Sequence, residues 1–145
     1  MKNHYKMFLN SIRKKKVSYF CNTNGMHSFS IRNRLGRLHR VGAPAYFIFT
    51  KRKNGSYKIV EEQWRINGFY HRVDGPAYTV EGMVKEWWYE GERHRTDGPA
   101  IESLTPYLYY HDVWFIRGKE YPNEEEWFKA LTGEEQVAYL FKLNR

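Results

Sequence analysis

Cysteine is nearly absent from this chain: Cys21 is the only one in 145 residues. A lone thiol closes no internal disulfide. That excludes a small secreted disulfide scaffold and makes a reducing cytosol the default compartment. Long apolar runs are absent too, so no transmembrane helix is expected. The first 30 residues lack the apolar core of a signal peptide. Paired cysteines at metal spacing, a Walker loop and a nucleophile elbow are all missing. No metal, cofactor or catalytic residue is therefore expected, and the chain reads as a binding protein rather than an enzyme.

The absence of acid is more informative. Residues 1–60 hold no Asp or Glu; Glu61 is the first. The same stretch holds 14 Lys or Arg, while residues 61–145 hold the other 10 against all 16 acidic groups. The formal net charge of +8 is thus an N-terminal excess over a mildly acidic remainder. Two readings stand. Either the basic part engages an anion, or the acidic part folds back and neutralises it. On the first reading the contacting residues are Arg13, Lys14, Lys15, Lys16, Arg32, Arg34, Arg37, Arg40, Lys51, Arg52 and Lys53. Nucleic acid comes first among partners, held by phosphate contacts of little sequence preference. A phosphate-bearing nucleotide is a narrower version, and an acidic protein is the rival from another class.

Aromatic residues and repetition are what the chain has in quantity. Aromatics make up 18% of it, which argues against disorder over its whole length. Trp64-Arg-Ile-Asn-Gly-Phe-Tyr-His-Arg-Val-Asp-Gly-Pro-Ala77 aligns with Trp87-Trp-Tyr-Glu-Gly-Glu-Arg-His-Arg-Thr-Asp-Gly-Pro-Ala100. A degraded earlier copy, Leu35-Gly-Arg-Leu-His-Arg-Val-Gly-Ala-Pro-Ala45, keeps the His, Arg, Pro and Ala. A half copy, Trp114-Phe-Ile-Arg-Gly118, follows. A fixed period in the twenties marks stacked supersecondary units with atypical ends.

Each unit reads as a hairpin. Gln63 to Ile66 and Phe69 to Arg72 flank Asn67-Gly68, a strong two-residue turn signal. Asp74-Gly75 turns the chain again, Pro76 fixes the exit, and Ala77 is small where hairpins approach. Tyr78 to Val80 and Met83 to Tyr89 flank a further turn at Glu81-Gly82. Residues 17–21 and 28–32 read as strands around Asn24-Gly25, and residues 1–16 as a basic helix or an arm.

The segment Trp87-Trp-Tyr-Glu-Gly-Glu-Arg-His-Arg-Thr-Asp-Gly98 resembles the MORN repeat, itself a β-hairpin unit. The ending His-Arg-x-Asp-Gly-Pro-Ala is more similar to MORN-like proteins of large bacteriophages and giant viruses. The resemblance covers residues 35–121. It implies a viral accessory protein in the host cytoplasm, with a role against host defences. As an alternative it implies a scaffold attached to anionic lipid; the basic face offers a further one, docking on an acidic host enzyme and inhibiting it.

The expected fold is mainly β, a meandering antiparallel sheet of MORN-like hairpins with a short C-terminal helical cap. One domain is expected over 1–145, with a basic segment 1–34, repeats 35–121 and a cap 122–145. Asn123 before three acids, and the capping box Thr132-Gly-Glu-Glu135, mark two helix starts. Val137, Leu140 and Phe141 follow at helical spacing. His39, His71, Arg72, His94 and Arg95 occupy matching repeat positions. They form either a packing ladder, with Arg on Asp and His on a turn carbonyl, or a phosphate groove. Trp87 and Trp88, as neighbours in one strand, should face opposite ways; either a helix or the N-terminal segment covers the second face, or one ring is exposed for a ligand.

Overall fold

The computed structural model describes residues 16–105 and 111–144. The expected helix or arm at 1–16 falls almost wholly outside them. The fold is mainly β, and the chain divides into two compact units, Met1–Phe69 and Tyr70–Arg145.

The first unit is an antiparallel meander of β1 (Lys16–Cys21), β2 (Met26–Arg32), β3 (Tyr46–Lys51) and β4 (Tyr57–Gln63). Each reversal has a local cause. The Asn22 carboxamide oxygen accepts from the backbone N–H groups of Asn24 and Met26, and Gly25 takes φ 72°. Asn54 accepts from Ser56 N–H in the turn after β3. Register runs Tyr19 to Phe29 to Phe47 and Cys21 to His27 to Phe49. A bulge between Ile48 and Phe49 then shifts the pairing with β4. Among the described residues of this unit, the buried apolar side chains are Ile31 and Ala45.

A short hairpin, β5 (Arg65–Ile66) and β6 (Phe69–Tyr70), follows at the unit boundary. The expected strand from Gln63 to Ile66 is broken: Trp64 lies between β4 and β5. The second unit repeats the break. It comprises β7 (Tyr78–Val80), β8 (Val84–Glu86), β9 (Trp88–Tyr89), β10 (Glu92–Arg93), β11 (Ile101–Ser103), β12 (Trp114–Ile116) and β13 (Lys119–Tyr121). β8 pairs with both β7 and β11; β9–β10 and β12–β13 are separate hairpins. The run expected from Met83 to Tyr89 ends at Glu86. The Trp87 N–H bonds Ala100 C=O and its carbonyl accepts from His94 N–H, so Trp87 leaves the ladder of β8 before β9 begins.

The hairpin turns Asn67-Gly68, Glu90-Gly91 and Arg117-Gly118 all have positive φ at both central residues. This is the twist-matched two-residue turn. Ala45, Ala77 and Ala100, at the same repeat position, are each 0% exposed, so the close approach expected at Ala77 occurs at all three.

Two cores hold the second unit. Val84, Ala100, Ile101 and Phe115 form one; Trp127, Leu131 and Tyr139 form the other. The latter is built by α1 (Glu124–Ala130) and α2 (Gly133–Leu143), which start at the expected caps Asn123 and Thr132. Val137, Leu140 and Phe141 are exposed, however. The packed face of α2 is instead Tyr139, whose hydroxyl donates to Glu124, and Gln136, which caps the Phe128 and Leu131 carbonyls. Burial pushes the Tyr139 phenol up to about 12, and the Glu124 hydrogen bond adds to it. Among the described residues, no helix is long and apolar enough to cross a membrane.

Candidate functional site

The matching tripeptides Leu38-His39-Arg40, Tyr70-His71-Arg72 and Arg93-His94-Arg95 do the same work three times. Each grips the two-residue turn of the next hairpin. The first residue's carbonyl accepts the turn glycine N–H: Gly68 to Leu38 at 2.8 Å, Gly91 to Tyr70 at 2.9 Å and Gly118 to Arg93 at 2.9 Å. The arginine N–H donates to the residue two before the turn: Arg65, Trp88 and Phe115 respectively. Between them the histidine Nδ1 accepts the remaining turn N–H. His39 takes Asn67 at 3.1 Å, His71 takes Glu90 at 3.1 Å and His94 takes Arg117 at 3.3 Å.

The expected bond to a turn carbonyl is therefore reversed. A two-residue turn leaves the N–H of its first central residue outside the ladder, and the imidazole meets that donor. Accepting at Nδ1 requires a neutral ring with its proton on Nε2.

The arginine side chains turn the other way, over the loop of their own repeat. Arg40, Arg72 and Arg95 donate to the carbonyls of Pro44, Pro76 and Pro99. Arg72 pairs with Asp74 and Arg95 with Asp97, as expected; Arg40 has Gly42 at the aligned position. Arg95 is held furthest. It also pairs with Glu102 and lies 3.6 Å above the Trp87 ring. Burial pushes the Asp97 carboxyl up, but hydrogen bonds from Lys142 and Arg95 outweigh it and leave it below the usual carboxylate range.

Arg72, Trp87, Tyr89, His94 and Arg95 do line a common groove in the second unit, together with Asp74 and Asp97. His71 stands beside it, its ring tilted against Tyr89 at 4.8 Å. An incoming phosphate would compete with carboxylates already bonded to both guanidinium groups. Neither tryptophan is left uncovered. Trp87 lies under Arg95; Trp88 stacks on Tyr70 at 5.3 Å, donates to Glu86 and carries Arg93 at 4.8 Å.

The geometry makes the grip of His94 sensitive to pH. Burial holds its pKa below the usual imidazole value, and Arg117 lowers it further; Glu135 and Glu92 oppose this weakly. The folded pKa lies below the unfolded one, so this contribution is present above pH ~6.5 and is lost as pH falls toward the folded value. Protonation turns the Nδ1 acceptor into a donor facing the Arg117 N–H. Losing one such bond costs about 0.5–1.5 kcal/mol. The melting temperature should fall by several degrees between pH 7.5 and 5.5, and by measurably less in His94→Ala. Equal slopes in the two proteins would show that His94 carries none of it.

The basic candidates lie differently. Arg13, Lys14 and Lys15 fall outside the described residues. Lys16 opens β1 and Arg32 closes β2, facing each other in register, and Arg32 donates to Gly36 C=O. Arg34 and Arg37 are exposed in the loop after β2; Lys51, Arg52 and Lys53 are exposed at and after the end of β3. The described part of this unit has two carboxylates, Glu61 and Glu62, both on β4, and neither pairs with these five. Desolvation by burial lowers the pKa of Arg40.

One feature beside this charge was missed in the sequence. Tyr19, His27, Phe29, Phe47, Phe49 and Tyr57 line a shallow groove on one face of β1–β4, edged by Ile59. His27 stacks on Phe49 at 4.9 Å and Phe29 on Phe47 at 5.4 Å. Tyr19 leans on Phe29 at 4.9 Å and bonds His27 Nδ1 at 2.6 Å; Tyr57 meets Phe49 edge-on at 5.3 Å. The signal was alternation: His27-x-Phe29, Phe47-x-Phe49 and Tyr57-x-Ile59 each place two rings or apolar groups on one side of a strand. No protein-family model, curated protein or solved structure matches the chain.

Proposed function

We propose that the first unit binds a polyanion, nucleic acid first, without catalysing a reaction. The observation that carries this reading is the exposed set Arg34, Arg37, Lys51, Arg52 and Lys53, none of which pairs with a carboxylate of its own unit. The guanidinium groups of Arg72 and Arg95, by contrast, are already bonded to carboxylates and carbonyls. Phosphate therefore meets less competition on the first unit than in the repeat groove. A viral accessory role in the host cytoplasm, as the MORN-like resemblance implies, is a setting in which such binding is useful.

Salt provides the test. Affinity for a mixed-sequence oligonucleotide should fall linearly on a log–log plot, with a slope of about −0.7 to −0.9 per phosphate neutralised. Lys51→Glu, Arg52→Glu and Lys53→Glu together should reduce that slope by about two to three such steps. A pull-down from host lysate with and without nuclease separates the classes. Capture that survives nuclease and high salt would overturn the reading in favour of a protein partner.

A further inference from the structure

We propose that the loop around Asp74 binds the ammonium group of a lysine side chain from a partner protein, in the way the Asp97 loop of the next repeat holds Lys142. The site lies in the second unit and does not depend on polyanion binding by the first.

The chain carries its own precedent, because the two loops are built alike. Arg72 Nε donates to Asp74 Oδ1 at 2.9 Å, and Arg95 Nε to Asp97 Oδ1 at 2.7 Å. The same guanidinium groups reach the Pro76 and Pro99 carbonyls at 3.3 and 2.9 Å. One carboxylate oxygen is thereby taken in each loop. At Asp97 the other oxygen and the main-chain carbonyl receive Lys142 Nζ, at 2.8 and 2.7 Å. At Asp74 no lysine arrives among the described residues. Apart from its own backbone N–H, the donor that meets this carboxylate there is Arg72, and the Asp74 side chain is 81% exposed. The Arg72 hydrogen bond holds the Asp74 carboxyl below the usual carboxylate range, so it is anionic at neutral pH. In the first copy Gly42 replaces the aspartate, and that loop has no carboxylate to offer.

The bonds already made select the cation. A guanidinium pairs best with both oxygens of a carboxylate, and Arg72 holds one of them. An ammonium is a compact charge with three donors. It can use the remaining oxygen and give a second bond to the carbonyl, as Lys142 does. A hard metal ion takes about six or more oxygens, which this loop does not supply. The neighbouring guanidinium is no bar, since Arg95 stands in the same place beside Lys142. Tyr89, 44% exposed in the groove that both loops line, offers apolar surface to the lysine stem. One difference weakens the site. Glu102 shares Arg95 with Asp97, whereas Thr79 is the aligned residue after Arg72. Asp74 is thus more fully neutralised by its arginine. An exposed pair of this kind is weak, so the lysine is one contact within a larger interface.

The test uses the full isotope-labelled chain at constant ionic strength and reads backbone amide shifts by nuclear magnetic resonance. The probes are Nα-acetyl-lysine methylamide, its Nζ-acetylated form and Nα-acetyl-arginine methylamide. The lysine probe should move the Asp74 and Gly75 signals saturably. The arginine probe should bind several-fold more weakly, and the acetylated probe should leave the signals in place. Asp74→Asn should abolish the shifts while the rest of the spectrum stays as in wild type. Lys142→Ala vacates the Asp97 loop, and in that variant the lysine probe should also move Asp97 and Gly98. Affinity there should exceed that at Asp74 by about two- to fivefold, the share of one exposed ion pair. Binding at Asp97 in Lys142→Ala without binding at Asp74 in wild type would overturn the proposal, since the loop would then need Glu102. Equal affinity for the arginine probe, or shifts that survive Asp74→Asn, would overturn it as well. Saturation by spermidine where the lysine probe fails would overturn a protein-borne lysine in favour of a free polyamine.

Discussion

Trp127→Ala should lower the unfolding free energy by about 3–5 kcal/mol, the largest loss expected from any single side chain of the second unit. Trp127 is 0% exposed and is the largest fully buried side chain among the described residues. It lies at 4.5 Å from the Trp114 ring and meets Tyr139 edge-on at 5.0 Å. Its indole N–H donates to the Arg95 carbonyl at 3.1 Å. One side chain thus ties α1 to β12, to α2 and to the end of the His-Arg tripeptide. Truncation removes its contacts, leaves a cavity between two aromatic neighbours, and leaves the Arg95 carbonyl without this donor. Trp127→Phe keeps most of the ring and loses the hydrogen bond, which is worth about 0.5–1.5 kcal/mol, so it should fall between. Guanidinium unfolding followed by far-ultraviolet circular dichroism reads both. A loss below about 1 kcal/mol for the alanine variant would mean that the helices are held by something other than this core.

The parts of the fold legible in the sequence were those with a local cause. Asn67-Gly68 announces a two-residue turn because its backbone needs positive φ at both positions. Asn123 and the Thr132–Glu135 box announce helix starts because each side chain meets an N–H within its own turn. The illegible parts depend on neighbours distant in sequence. Trp64 and Trp87 look like strand interior, yet both stand between ladders; for Trp87 the N–H is claimed by Ala100. The histidines were recognised as packing candidates, but the direction of the bond depends on which turn atom the next hairpin presents. Val137, Leu140 and Phe141 have helical spacing, yet Tyr139 is the residue that meets Trp127. The alternation of rings on β2 and β3 was visible in the sequence. Whether anything covers them is not a property of the strands themselves. The division at Phe69/Tyr70 falls inside a hairpin, where composition does not change.

Gly75→Ala and Gly98→Ala should both destabilise the protein, and removing the arginine of the same repeat should cancel the first but not all of the second. The glycine of Asp-Gly-Pro-Ala sits beneath a guanidinium. A Cβ on Gly75 would lie 3.1 Å from Arg72 Cζ, and one on Gly98 would lie 2.9 Å from Arg95 Cζ. A long side chain usually swings aside, but these are pinned. Arg72 is bonded to Asp74 and the Pro76 carbonyl; Arg95 to Asp97, Glu102 and the Pro99 carbonyl, with Trp87 beneath it. Yielding to the methyl group breaks those contacts, so each alanine should cost about 1–3 kcal/mol, more at Gly98 where the arginine is held more tightly. Gly98 also has φ 156°, outside the range an L residue prefers, whereas Gly75 has no such backbone demand. In Arg72→Ala the Gly75→Ala change should therefore become nearly neutral. In Arg95→Ala the Gly98→Ala change should keep a backbone remainder of about 0.5–1 kcal/mol. Double-mutant cycles from urea unfolding measure both couplings. Additive losses at either site would mean that the glycine answers to the turn alone and not to the arginine above it.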